Sequence, residues 1–341
     1  MATGGLGALR KNLRRYAGAF VVDNTFRGLS KLGSMLPRAR PAKHGVEVLR
    51  DLPYLDDGSS DHLLDIYRPL ERRPSAPPLP IVLYVHGGGF RILSKDTHWI
   101  MAIAFARKGY LVFNVNYRLA PRHRYPAALQ DVCHAYEWVV KNAARFGGDA
   151  TQMVFAGESA GANLVTALAV ATHYERPEPW ARRVFDIAGT APPRAVLPAC
   201  GMLQVSDPER FHRRRKIPGL IYDRIEEVSR AYLGNVDGAK PGSLDLADPL
   251  LVFERGDKPA RPLPPFFSFA GTKDPILDDT RRLHAALAAL GVTSEVKLYP
   301  GELHAFHALV WRPAARAAWT ESFDFLGRVL AAERAFARVG T

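Results

Sequence analysis

The chain has 341 residues, 47% of them hydrophobic and 23% charged, with a formal net charge of +12; that length can bury one large core and would accommodate two or three domains of ordinary size. No stretch approaches the roughly 18 to 20 uninterrupted apolar residues of a membrane span, and the longest apolar runs, such as IVLYV from 81, are strand-sized. Cys133 and Cys200 sit in apolar surroundings; they are too few and too far apart for a disulfide framework or a metal site, and they read as core thiols in a reducing, cytoplasmic compartment.

Residues 1–45 carry nine basic side chains, from Arg10 to Lys43, against Asp23 alone. Leu6, Leu9, Leu13, Tyr16 and Phe20 recur at helical spacing, which predicts one or two basic amphipathic helices ending before PRARP. The expectation favours a helical arm packed on the protein as part of a cap, its arginines in water; covering a pocket and peripheral contact with an anionic membrane are the other readings. The run AGAFVV is short and ends at Asp23, which argues against a cleaved signal peptide. No nucleic-acid-binding motif accompanies the charge, so no nucleic-acid partner is expected. Association into a homodimer stays open.

After Gly45 short apolar runs alternate with longer helical stretches, the pattern of a mostly parallel α/β sheet. Strands are expected at VEVLRDLPY from 46, HLLDIYR from 62, IVLYVHG from 81, LVFNVNY from 111, MVFAGES from 153, AVLPACG from 195, FFSFAG from 266 and EVKLYP from 295. The first two read as antiparallel neighbours, since only DDGSSD separates them and a parallel crossover needs a dozen or more residues. Helices are expected over 95–108, 126–146, 160–174, 276–290 and 314–337. ERRPSAPPLP from 71 reads as a Pro-rich loop leading into a strand. Residues 201–245 contain FHRRRKIPGLIYDRIEEVSRAYLG, a mostly helical insertion, and an insertion at the carboxyl edge of such a sheet lies over the ligand crevice. The expected organisation is an arm over 1–45 and one domain over 46–341 with a cap insertion at 201–245.

VFAGESAGANL places Gly157-Glu158-Ser159-Ala160-Gly161 between a strand and a helix, the setting of a nucleophile elbow that strains the serine and exposes its Oγ. YVHGGGFRI ends an earlier strand with His86-Gly87-Gly88-Gly89, where backbone N–H groups can converge on an oxyanion. Each such donor lowers the barrier by about 3 to 4 kcal/mol. The Ala160 N–H is expected to join them, and His86 to brace the loop.

A serine hydroxyl needs an imidazole to take its proton and an acid to orient that imidazole. In α/β hydrolases the acid follows one late strand and the histidine the next. FFSFAGTKDPILDD supplies Asp274 and EVKLYPGELHAFH supplies His304 at those places. Asp278 and Asp279 read as the solvated face of the next helix, and His307 as a half-buried histidine at the start of the last helical region.

Together LDIYRP (64–69), HGGGF (86–90), NYRLAPRHRYPAALQD (116–131), GESAGANL (157–164), LPPFFSFAGTKDPILDD (263–279) and YPGELHAFH (299–307) resemble the hormone-sensitive-lipase-like family of α/β-hydrolase esterases, over most of the chain from about residue 60. The resemblance implies an α/β-hydrolase fold with an eight-stranded sheet and a helical cap, no metal or organic cofactor, and hydrolysis of small-molecule carboxylic esters through an acyl-enzyme. It assigns Ser159, Asp274 and His304 to a triad, and the N–H groups of Gly88, Gly89 and Ala160 to the oxyanion hole. Three places depart from the family: Ala305 where His-Gly-Phe is usual, Glu158 where Asp is frequent, and Asp248-Pro249-Leu250 for Ser-Pro-Leu. An amidase or formamidase with the same triad, or a non-catalytic receptor resembling the plant gibberellin receptors, are the alternatives; the intact triad argues against the receptor.

Overall fold

The strand-forming runs fold where their apolar character places them, as β1 (Val46–Pro53), β2 (Leu63–Pro69), β3 (Leu79–Val85), β4 (Leu111–Val115), β5 (Gly148–Glu158), β6 (Ala195–Ala199), β7 (Phe266–Gly271) and β8 (Ser294–Tyr299). The computed structural model describes residues 39–71, 75–235 and 242–339, with Gly28 and Lys240. The Leu6 to Phe20 face of the arm lies outside the described residues.

Among the described residues one sheet holds all eight strands, in the order β1-β2-β4-β3-β5-β6-β7-β8. β1 runs antiparallel to β2, as the short DDGSSD link requires, and β2 is also antiparallel to β4; the remaining pairs are parallel. Every residue of β4, β6 and β7 is buried, because both faces of the sheet are covered and alternate side chains enter different cores. Ile81, Leu83, Val85, Phe113 and Phe155 point to one core, and Val82, Tyr84, Val112 and Val154 to the other.

The helices are α1 (Trp99–Ala106), α2 (Ala127–Asn142), α3 (Ala160–His173), α4 (Pro179–Ala188), α5 (Glu209–Arg214), α6 (Gly219–Leu233), α7 (Pro249–Glu254), α8 (Leu277–Ala289) and α9 (Pro313–Val339). Residues of α2, α3, α4 and α8 fill the first core, those of α1 and α9 the second. All of α3 is buried, which its ring of Ala, Leu and Val allows. The helix expected over 95–108 is divided: Ser94 and Thr97 form a capping box around a 3-10 turn at Lys95–Thr97, and α1 starts after it. No helix is expected from the sequence at 179–188, yet α4 forms there, with Pro179 in its first turn and Ala181, Val184, Phe185 and Ala188 buried at the i, i+3, i+4, i+7 spacing of an apolar stripe. No helix among the described residues is long and apolar enough to cross a membrane.

The insertion between β6 and β7 carries α5, α6 and α7. Its attachment corrects the reading of Asp279. That carboxylate is not on a solvated face but fully buried, accepting the Leu203 N–H at 2.8 Å and the Gln204 N–H at 3.2 Å and pairing with the buried Arg210 of α5 at 2.6 Å. Asp248 does similar work, its Oδ1 accepting the N–H groups of Val205 and Ser206. In the NYRLAP block the Arg118 backbone N–H and guanidinium both bind the buried Asp131 carboxylate of α2.

Candidate active site

Five loops leave the carboxyl ends of the parallel strands β3, β5, β6, β7 and β8 on one edge of the sheet, where α/β sheets bind ligands. At the end of β5 the chain turns straight into α3 through Ser159, at φ 55° and ψ −115°. A non-glycine residue held there stores about 1 to 3 kcal/mol of strain. Surrounding bonds hold it: the Ser159 N–H donates to the Ala199 carbonyl at 3.0 Å, and the Ser159 carbonyl accepts from Asn163 at 3.2 Å and Met202 at 3.4 Å. Gly161 lets the helix approach, since a Cβ there would lie 2.0 Å from the Val85 carbonyl oxygen.

Beyond β3, Gly88 adopts φ +107°, and a Cβ on it would meet the Ile92 carbonyl oxygen at 2.1 Å. The N–H groups of Gly88, Gly89 and Ala160 donate to no acceptor within the described residues. His86 does brace this turn: its ring stacks on Tyr117 at 4.3 Å and on His98 at 5.4 Å between centroids, and its Nδ1 lies 2.7 Å from the Gly87 carbonyl. Burial, with His98 beside it, pushes the ring down to about 3, so His86 is neutral.

Glu158 lies beneath both loops. One carboxylate oxygen accepts the Gly87 N–H at 2.6 Å and lies 2.7 Å from His98 Nε2; the other accepts the Tyr84 hydroxyl. Burial alone would raise its pKa, but His98 first, with His307 and the Tyr84 hydroxyl, outweighs burial and holds the carboxyl at about 2. The same carboxylate lifts His98 against its own desolvation. The elbow and the glycine turn are thus joined through one buried ion pair, whose histidine the sequence reading did not single out.

Asp274 follows β7 and is fully buried. Its Oδ1 accepts the Ile276 N–H at 2.9 Å, and its Oδ2 lies 2.8 Å from His304 Nδ1. Ala305, next to that histidine, takes the left-handed conformation at φ 54° and ψ 28°, the backbone that glycine supplies without a Cβ penalty. The structure therefore brings Asp274 and His304 together and sets Ser159 on the same edge, but no hydrogen bond joins Ser159 to His304. Beside the imidazole lies a residue assigned in advance only to the core, Cys200, whose Sγ, a His304 ring nitrogen and an Asp274 oxygen all lie within 4.8 Å of one another. Its place directly after β6, on the edge that carries Ser159, Asp274 and His304, is the signal in the sequence that could have found it. Desolvation disfavours the charged His304 ring, but the Asp274 carboxylate and the Cys200 sulfur outweigh it and raise its pKa well above the ordinary value.

His307 is buried, not half-buried as expected, in the 3-10 turn Phe306–Ala308. Its Nδ1 has no hydrogen-bond partner, and its ring packs edge-on against Phe269 at 5.0 Å. Burial pushes it down to about 4, leaving a neutral core ring.

The insertion closes over this edge. Val228 of α6 stands where a Gly89 Cβ would be, at 2.6 Å; Glu227 pairs with Arg91 at 2.6 Å; Tyr232 stacks on Phe90 at 3.7 Å between centroids; and the Arg215 guanidinium donates to the Asp274 carbonyl. A groove of about 440 Å³ lined by Pro69, Leu79 and Tyr110 involves none of these residues.

A family profile described as alpha/beta hydrolase fold matches residues 82–308. The chain is 33% identical over 294 residues to the Carboxylesterase NlhH of Mycobacterium tuberculosis, covering 82% of this chain and 84% of that protein. To an acetyl esterase of Salmonella schwarzengrund it is 31% identical over 237 residues, covering 68% and 67%. Among solved structures, the esterase LipW from Mycobacterium marinum superposes with a TM-score of 0.67 at 27% identity, covering 92% of this chain and 89% of that one. A bacterial heroin esterase superposes with a TM-score of 0.73 at 22% identity, covering 92% and 93%; at that identity the likeness concerns the fold alone.

Proposed function

The chain belongs to the alpha/beta hydrolase fold family, and from its likeness to the carboxylesterase and acetyl esterase relatives we infer that it is a carboxylesterase, a serine hydrolase of small-molecule carboxylic esters. Within that activity we propose Ser159 as nucleophile, His304 as general base and acid, and Asp274 as the group that fixes the imidazole, acting on small to medium acyl esters. Because Asp274 engages Nδ1, Nε2 is the ring nitrogen left to take the Ser159 proton as Oγ attacks the carbonyl carbon. The oxyanion is received by the N–H groups of Gly88, Gly89 and Ala160, which have no acceptor of their own. His304 then returns the proton to the departing alcohol, and a water activated by the same ring releases the acid. Catalytic hydrogen bonds in an apo arrangement are frequently long and tighten with substrate, which accommodates the open Ser159 to His304 gap.

The observation that carries this assignment is the buried Asp274 carboxylate at 2.8 Å from His304 Nδ1, on the sheet edge that also presents Ser159 on a strained elbow. The test is a series of p-nitrophenyl esters of increasing acyl length, assayed with the wild type and Ser159→Ala. The variant is expected to keep less than about a hundredth of the activity, with turnover highest at the short end of the series. A variant that keeps more removes the serine mechanism, and equal turnover of a matched anilide redirects the reading to an amidase.

A further inference from the structure

Cys200 occupies the first position beyond β6, at φ 40°, between two anchors of the catalytic edge. Its own N–H donates to the Phe269 carbonyl at 2.8 Å, and the preceding Ala199 carbonyl receives the Ser159 N–H. These bonds fix the thiol beside the ring and carboxylate of the two neighbouring loops. A sulfur, an imidazole nitrogen and a carboxylate oxygen within 4.8 Å of one another form a donor set of mixed softness, which suits Zn²⁺ and its thiophilic relatives and not Mg²⁺ or Ca²⁺. In a tetrahedral zinc site with metal–ligand bonds of about 2.0 to 2.3 Å, the ligand atoms stand about 3.3 to 3.8 Å apart. Adjustments of about 1 Å bring the set to this spacing, inward from the 4.8 Å bound and, for Asp274 Oδ2 with His304 Nδ1, outward from 2.8 Å, leaving the fourth position to water. The way in is through the site itself, since the His304 side chain is 33% exposed while Asp274 is fully covered. The other cysteine has no such setting: Cys133 is buried in α2 and belongs to no comparable group among the described residues.

We propose that Cys200, His304 and Asp274 form an inhibitory binding site for a zinc-class divalent cation. The inhibition, though not the binding, rests on the assignment of His304 as the catalytic base. On binding, the Cys200 thiol proton passes to solvent, the sulfur and one ring-nitrogen lone pair go to the metal, the other ring nitrogen carries the single proton of the neutral ring, a second proton is released to solvent where the ring starts as an imidazolium, and no electron is transferred. His304 then has no lone pair with which to take the Ser159 proton, and Asp274 no longer orients it. Removal of the ion by a chelator restores the ring.

The test uses the full chain with two readouts. Cd²⁺ is titrated into metal-free protein while the thiolate-to-cadmium charge-transfer absorbance is followed, and Zn²⁺ is titrated against hydrolysis of a short p-nitrophenyl ester. The proteins are the wild type, Cys133→Ala, Cys200→Ser and Cys200→Gly, the last suited to the positive φ. Each inhibition constant is taken relative to that variant's own metal-free rate. The expected result is a 1:1 charge-transfer band in the wild type and Cys133→Ala, absent from both Cys200 variants. Zn²⁺ should inhibit in a manner EDTA reverses, with equal Mg²⁺ inert. Loss of even an outer-sphere partner typically costs about 10- to 100-fold in metal affinity, so the Cys200 substitutions should raise the inhibition constant at least about 100-fold. Lack of the band in the wild type, or equal Zn²⁺ inhibition with and without Cys200, overturns the proposal. A Cys200-dependent band in a protein that hydrolyses none of the esters upholds the site and overturns the esterase assignment instead.

Discussion

With His304 as the proposed base, turnover needs its neutral ring, and the acid limb of the pH profile should report its ionisation. Among the other buried groups at this edge, Glu158 is held at about 2, and burial pushes His86 to about 3 and His307 to about 4; His98, which its Glu158 partner raises above the ordinary histidine value against its own desolvation, is the second ring whose charge changes with pH. The Asp274 carboxylate and the Cys200 sulfur favour the imidazolium beyond what its desolvation removes, so more alkaline solution is needed to free the ring. Activity should therefore fall as pH drops through an inflection lying above the ordinary histidine value of about 6.5. Cys200→Ser should move that inflection downward. The measurement is kcat/KM against pH for a short ester, which reports the free enzyme; an inflection below the ordinary value contradicts the assignment. At this scale chain order pointed to Asp274 and His304, which lie 2.8 Å apart in the fold. Cys200 escaped because the contact joins the ends of three strands far apart in the chain. Ala305 is the reverse case, a visible departure from glycine that the backbone absorbs by adopting φ 54°.

Strands and helices were legible to differing degrees for a physical reason. A parallel strand buried on both faces must be apolar along its length, so β4, β6 and β7 could be read from their runs; the half-exposed edge strands β1 and β8 showed themselves by shorter apolar runs beside turn residues. α4 shows that the signal was present elsewhere but overlooked, in a Pro-initiated stretch with an apolar stripe. What no periodicity gives is which helix meets which loop. α6 reaches the glycine turn through Val228, Glu227 and Tyr232, so the turn that offers the N–H groups is shaped by the insertion as well as by its own glycines. Gly89→Ala should lose at least about 100-fold in kcat, the scale of one lost oxyanion donor, since its Cβ collides with Val228 and φ +59° is unfavourable for alanine. Combining it with Val228→Ala removes the collision but not the backbone cost, so the double variant should recover part of the loss. A double-mutant cycle on kcat reads the coupling; strictly additive effects would show that α6 does not act on the turn.

The insertion is tied to the rest of the molecule by charge buried deep inside it, and the way this pair fails should show whether the two fold as one unit. Arg210 of α5 and Asp279 of α8 lie 2.6 Å apart, with side chains 7% and 0% exposed, and the same carboxylate holds the Leu203 and Gln204 N–H groups. Taking these ions out of water was costly, so the pair adds little beyond what two apolar side chains would, whereas removing one partner strands the other. Asp279→Asn should then lower unfolding free energy by about 3 to 5 kcal/mol, and Asp279→Leu with Arg210→Met should return only part of it, because the Leu203 and Gln204 N–H groups lose their acceptor. Equilibrium denaturant unfolding measures both. If the insertion is part of one cooperative structure, the single variant shifts the midpoint of one transition; an early separate transition, with the remainder unfolding at the wild-type midpoint, would show the cap melting by itself. Because neither side chain is assigned to the reacting groups, the folded fraction of the single variant should keep its kcat, which separates a stability defect from a catalytic one. A charge read from sequence as solvated is thus the group that joins the insertion to α8, and its substitution tests whether the two unfold together.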